Sequence, residues 1–192
     1  MFRIRRWTIG TWALVLLCSL LASEGLAQLR LPSDFQQLLE DHQLDFYAPV
    51  EGTFKNKRLR KTSWQACDFA MYSKKARLEV RYLLQPFHQE NPKNDIPHVK
   101  MIRMASHLAS NEDDSHIAIH KISKERLSSM YRADWGATAV FEPKRSFSDR
   151  RYCQMLSLFR EDELQLYVFI LFDRADEEVE QQLASLRFRE GD

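Results

Sequence analysis

Glycine is scarce in this chain: there are five in 192 residues, and only Gly52, Gly136 and Gly191 lie beyond residue 27. Phosphate-binding loops and dinucleotide-binding turns need several glycines close together so that backbone can approach a phosphate. That shortage excludes both classes. The sequence also has no Gly-x-Ser-x-Gly nucleophile elbow and no His-Glu-x-x-His zinc helix. Cysteine is rarer still, with three residues (Cys18, Cys67 and Cys153) and no Cys-x-x-Cys pair that would mark a redox motif. Nor is there an excess of one charge: 28 basic side chains face 27 acidic ones. A binder of nucleic acid or of an anionic membrane surface needs a clear basic excess, so neither is an expected partner. Internal repeats, low-complexity segments and interdomain linkers are all missing.

What is present begins with an export signal. Arg3, Arg5 and Arg6 form a basic start, an apolar stretch runs from Trp12 to Ala22, and small residues at Gly25 and Ala27 suit signal-peptidase cleavage after Ala27. The apolar core is about half the ~20 residues that a membrane-spanning helix needs. A lipoprotein would use Cys18, but Leu17 stands before it where a small residue is required. Residues 1–27 therefore read as a signal peptide, and residues 28–192 as one exported α+β domain, periplasmic or secreted, with no transmembrane segment after cleavage. Cleavage removes three arginines and Glu24, which turns the formal charge from +1 into −1. The 165 residues left can bury about 70% of their unfolded surface in one core.

Periodicity sets out the elements. Ser33 with Gln36 forms a capping box opening a helix with Phe35, Leu38 and Leu39 inward, ending near Gln43. Trp64 to Tyr72 alternates as a strand with Cys67, Phe69 and Met71 on one face. In Ala76 to Leu84, Leu78, Val80, Tyr82 and Leu84 face a core, while Arg77, Glu79 and Arg81 face water. After a loop from Pro86 to Pro97, Met101, Met104, Ala105 and Leu108 mark a second helix. Ser115 to Ile122 predicts a short strand, and Ser123 caps a short helix with Leu127, Met130 and Tyr131 inward. Trp135–Phe141, Tyr152–Phe159 and Leu164–Phe172 follow as three strands, the last apolar enough to be central and covered on both faces. A final helix starts at Asp176, with Glu177 and Glu178 in its first turn, Val179, Leu183 and Leu186 as its buried stripe, and Arg187 and Arg189 near its end. The expected fold is α+β: a largely antiparallel sheet flanked by helices on both faces.

Candidate chemistry is thin. His116 and His120 have the i, i+4 spacing of helical zinc ligands, with Glu112, Asp113 and Asp114 just before them. Ile117 and Ile119 alternate with them as on a strand, where residues four apart stand roughly 13 Å from each other, too far for one ion. Lys55, Lys57, Arg58, Arg60 and Lys61 form a basic run, with Lys74 and Lys75 at the next turn and Lys144, Arg145, Arg150 and Arg151 around a further loop. These are either a patch for an anionic partner or solvated turns that guard sheet edges. Cys67 and Cys153 are either a disulfide closing an 87-residue loop, worth at most ~4.6 kcal/mol, or two separate buried thiols. Asp134-Trp135-Gly136 could line a cleft, though packing is the ordinary role of such a tryptophan.

The segments Ala133–Lys144, Tyr152–Phe159 and Tyr167–Asp173 resemble those of small exported bacterial proteins of unassigned function. The element order is also similar to the PsbP/Mog1-type α/β/α sandwich, which implies a binding or accessory role and transfers no site residue. The expected function is thus an exported, non-catalytic domain without cofactor that binds a protein or envelope component. The alternative is a small envelope hydrolase or metal-dependent enzyme using His116, His120 and nearby acids.

Overall fold

The computed structural model describes residues 29–47, 54–58, 67–86, 96–112, 115–174, 179 and 182–190. The expected signal peptide lies outside the described residues. In chain order the elements are α1 (Ser33–Asp41), β1 (Leu44–Phe46), β2 (Phe54–Asn56), β3 (Phe69–Ser73), β4 (Leu78–Pro86), α2 (Pro97–Leu108), β5 (Ala118–Lys121), α3 (Lys124–Arg126), β6 (Trp135–Phe141), β7 (Tyr152–Arg160), β8 (Leu164–Phe172) and β9 (Leu186–Phe188). The chain is therefore α+β. Seven strands form one sheet in the order β2-β3-β4-β8-β7-β6-β5, with antiparallel pairs throughout. β1 and β9 pair antiparallel as a separate small sheet, Leu44 opposite Phe188 and Phe46 opposite Leu186.

β8 is the middle strand, and all nine of its residues are buried. Its side chains alternate between two cores, as the period of two requires. Leu164, Leu166, Val168, Ile170 and Phe172 join one core; Tyr167, Phe169 and Leu171 join the other. The first core takes Phe35 and Leu39 from α1, the β1–β9 pair, and Val179 and Leu183. Aromatic rings fill it: Phe35 stacks on Phe69 at 4.7 Å and Phe46 meets Tyr82 edge-on at 5.5 Å. The second core lies under α2, where Met101, Ala105 and Leu108 sit on Ala137, Ala139, Cys153 and Met155.

Several sequence expectations are corrected. Ser33 is already inside α1, and Pro32 is the N-cap, with no side-chain cap; Gln36 turns its amide back to the Leu31 carbonyl instead. α1 stops at Asp41, since Gln43 takes a left-handed conformation (φ 49°). The alternation that puts Cys67 with Phe69 and Met71 fails, because Cys67 packs against the α2 core while the other two enter the opposite one. The strand slips there: Asp68 donates its N–H to the Tyr82 carbonyl although Phe69 is the residue opposite Tyr82, and the Asp68 carboxylate accepts from Leu84 N–H. Met130 is exposed, not inward. The chain from Leu127 to Tyr131 is a π-turn, whose wider winding keeps Leu127 and Tyr131 on the core and leaves Met130 outside. Leu186 and Arg187 belong to β9, with Arg189 just beyond it, so none of them is helical; Asp176, Glu177 and Glu178 lie outside the described residues.

The largest correction concerns β4. Glu79 and Arg81 do not face water: they are 4% and 8% exposed, on the same side of the sheet as α2. Arg81 donates from Nε to Glu79 at 2.7 Å and from Nη1 to the Phe147 carbonyl at 2.8 Å, and lies over the Phe147 ring. Lys57 reaches in from beyond β2 to the other Glu79 oxygen. Polar alternation on β4 thus encodes a buried ion-paired network and not a wet face.

Candidate ligand cavity beside helix α2

α2 opens on Pro97, whose fixed φ suits the first helical position. Its buried stripe (Met101, Ala105 and Leu108) sits over β6 and β7, where Ala137 and Ala139 let it approach closely. Both ends are tied down. Gln165 Nε2 donates to the Pro97 carbonyl at 3.0 Å; at the other end Lys144 N–H donates to the Leu108 carbonyl at 2.8 Å, and Lys144 Nζ to that of His107 at 2.9 Å. Placed over β6 and β7, the helix leaves a space along its flank above β4 and β8. That space is a cavity of about 570 Å³ lined by Gln85, Lys100, Arg103, Met104, His107 and Tyr167, with mostly apolar walls. The volume falls in the range of small-molecule sites, roughly 300–1,000 Å³.

The floor carries an unresolved polar demand. Tyr167 is fully buried between Ser157 of β7 and Leu83 of β4, and its hydroxyl has no hydrogen-bond partner. Burial keeps that hydroxyl protonated, well above the ordinary tyrosine range, an effect offset in part by the Ser157 hydroxyl nearby. Ser157 Oγ is itself taken by Gln165 Nε2 at 2.9 Å. Because Gln165 Nε2 serves both Ser157 and the Pro97 carbonyl, its Oε1 is left buried without a partner as well. Buried polar atoms without partners are rare in native proteins. Here two of them lie within one short stretch of β8.

The residues singled out from sequence go elsewhere. His120 lies on β5 and His116 precedes it; both are exposed at the sheet edge. Among the described residues no cluster of three or more His, Cys, Asp or Glu side chains could hold a metal ion; Asp113 and Asp114 lie outside them. Of the basic run, Lys55 and Arg58 are exposed, Lys57 pairs with Glu79, and Arg60 and Lys61 lie outside the described residues. Arg150 pairs with Asp173 at 2.6 Å and Arg151 covers the Tyr152 ring. Trp135 packs half-buried against the α2 core, and Asp134 caps the Glu161 N–H at 2.8 Å. Cys67 and Cys153 are free thiols packed against that same core. Burial pushes the Cys67 thiol up to about 12 and the Cys153 thiol higher. A second cluster joins α1 to the small sheet: Arg189 holds Glu40 through two bonds at 2.7 and 2.8 Å, and both Arg187 and Arg189 donate to Asp45. It fastens structural elements together and leaves no reactive group unpaired.

Sequence reasoning missed the cavity. Two signals were present: Lys100, Arg103 and His107 recur at three and four along the flank of the apolar stripe, and Tyr167 brings a polar tip into a strand buried on both sides. What sequence could not show is that α2 and β8 lie side by side. Fold and cavity together define an antiparallel α+β protein with a ligand-sized space between helix and sheet. No known protein family matches the chain, and no curated protein or solved structure was found that is similar to it. Among the described residues no helix is long and apolar enough to cross a membrane.

Proposed function

We propose that this chain is an exported, non-catalytic binding or accessory domain that holds a small, partly apolar ligand in the cavity beside α2. The observation that carries the reading is the cavity itself: about 570 Å³, mostly apolar, walled by a helix tied at both ends, with a buried hydroxyl awaiting a partner on its floor. Pre-formed concave sites with few polar groups are the usual form of small-molecule binding sites. The N-terminal export pattern supports the location, and helices on both sides of an antiparallel sheet support the finer reading as a PsbP/Mog1-type sandwich. Nile red, a neutral dye that brightens in apolar surroundings, tests the cavity. It should bind at one site per chain, and Met104→Trp, which fills the space, should abolish the signal. Equal fluorescence with wild type and M104W would contradict the proposal.

A further inference from the structure

Resting on that reading, we propose that the ligand is a small organic carboxylate, whose head group meets Arg103 and the Tyr167 hydroxyl and whose apolar tail fills the cavity beside α2. Charge decides the sign. Among the described residues the lining has Lys100, Arg103 and His107 and no carboxylate; Lys100 and His107 have contacts of their own, so the head group is assigned to Arg103. Arg103 is exposed on the cavity flank of α2 and makes no hydrogen bond or ion pair with any of the described residues. A guanidinium fork matches the two oxygens of a carboxylate.

Polarity decides the depth. The Tyr167 hydroxyl is buried without an acceptor, and burial keeps its proton on, so it can only be satisfied by a group that accepts. A carboxylate oxygen is such a group, and a bond from a hydroxyl to an ionised acceptor is among the stronger kinds. Met104, the tyrosine ring and the methylene stems of Lys100 and Arg103 supply apolar wall for a chain of several carbons. A phosphate-rich ligand fits less well, since the chain offers no glycine-rich turn of converging N–H groups there.

Octanoate and 1-octanol separate the claims, because they share a tail and differ in the charge of the head. In titration calorimetry with the full chain, octanoate should bind at one site and at least tenfold more tightly than octanol. Arg103→Ala should weaken octanoate about tenfold or more and leave octanol unchanged, while Tyr167→Phe should weaken octanoate more than octanol, whose neutral oxygen is the poorer acceptor. Met104→Trp should abolish both. Tyr167→Phe should also melt no lower than wild type without ligand, since it removes a buried hydroxyl that has no partner. If octanol binds as well as octanoate and M104W blocks both, the carboxylate claim falls and the cavity claim stands. If octanoate binds R103A and Y167F as tightly as wild type, or Y167F melts lower, the head-group assignment is wrong. If octanoate does not bind although Nile red does, the ligand is not a carboxylate; if neither binds, the binding-domain reading fails too.

Discussion

Replacing Arg81 with methionine should be among the most damaging single changes in the sheet, because of what it leaves behind. Glu79 is 4% exposed and holds two partners, Arg81 at 2.7 Å and Lys57. Arg81→Met keeps most of the side-chain volume but strips Glu79 of its buried partner and the Phe147 carbonyl of its 2.8 Å donor. Breaking a buried pair by removing one member typically costs about 3–5 kcal/mol. Lys57 remains, and its side chain is 39% exposed, so it stays partly solvated and compensates only in part. The lower end, about 3 kcal/mol, is therefore expected, equivalent to a melting-point drop of roughly 6–12 °C in a chain of this size. Glu79→Leu combined with Arg81→Met removes both charges, and should lie within about 1 kcal/mol of wild type. Urea unfolding followed by tryptophan fluorescence measures all four corners of the cycle, with unchanged m-values as the check on two-state behaviour. A single R81M cost below about 1 kcal/mol, or a double variant as weak as the sum of the singles, would refute the argument that the network is dry.

Gly136→Ala should destabilise by about 1–3 kcal/mol by overpacking. Its new Cβ would lie 2.8 Å from a Leu127 methyl, 2.9 Å from a Leu158 methyl and 3.2 Å from the Ser157 carbonyl oxygen, and an unchanged melting point would show that both leucines yield freely. Glu40 is held below the usual carboxylate range by its bond to Arg189, and Asp45 likewise because the bonds from Arg189 and Arg187 outweigh its burial. Depressed acids stabilise fully above their unfolded values near ~4 and lose that contribution as pH falls through the folded ones. Asp45→Asn should therefore be less stable at neutral pH and show a shallower loss below about pH 4 in acid titrations followed by circular dichroism; parallel curves would contradict this. Iodoacetamide at pH 8 should leave the buried Cys153 unlabelled in the native protein, react only slowly with the half-buried Cys67, and label both once the protein is unfolded, as mapped by mass spectrometry, because burial suppresses both thiolates. Cysteines that resist labelling in denaturant until a reductant is added would instead be joined.

Where the chain's pattern and its environment agreed, the sequence was a good guide. β6, β7 and β8 fall within a residue of their expected bounds, because each is long, strongly apolar and closed by polar turns. α2 was legible from Met101, Met104, Ala105 and Leu108 for the same reason. Failures occurred where tertiary contacts overrode local pattern. β1 and β9 are three residues each and exist only because Leu44 and Phe188 meet across most of the chain's length, a pairing no local window contains. Alternation on β4 correctly put Glu79 and Arg81 on one face but could not say that Phe147 and Lys57 would close over it. The cavity was hidden for a related reason: its walls come from β4, α2 and β8, and its most informative atom is a hydroxyl whose significance lies in lacking a partner.

The central claim, that ligand enters beside α2, is most directly tested by methyl carbon-13 labelling of the methionines during titration with octanoate. Met104 lines the cavity, Met71 belongs to the opposite core and Met130 is exposed far along the chain on the π-turn. The Met104 methyl resonance should shift and saturate while those of Met71 and Met130 stay in place. A titration that moves Met130 or Met71 and leaves Met104 unmoved would contradict the account.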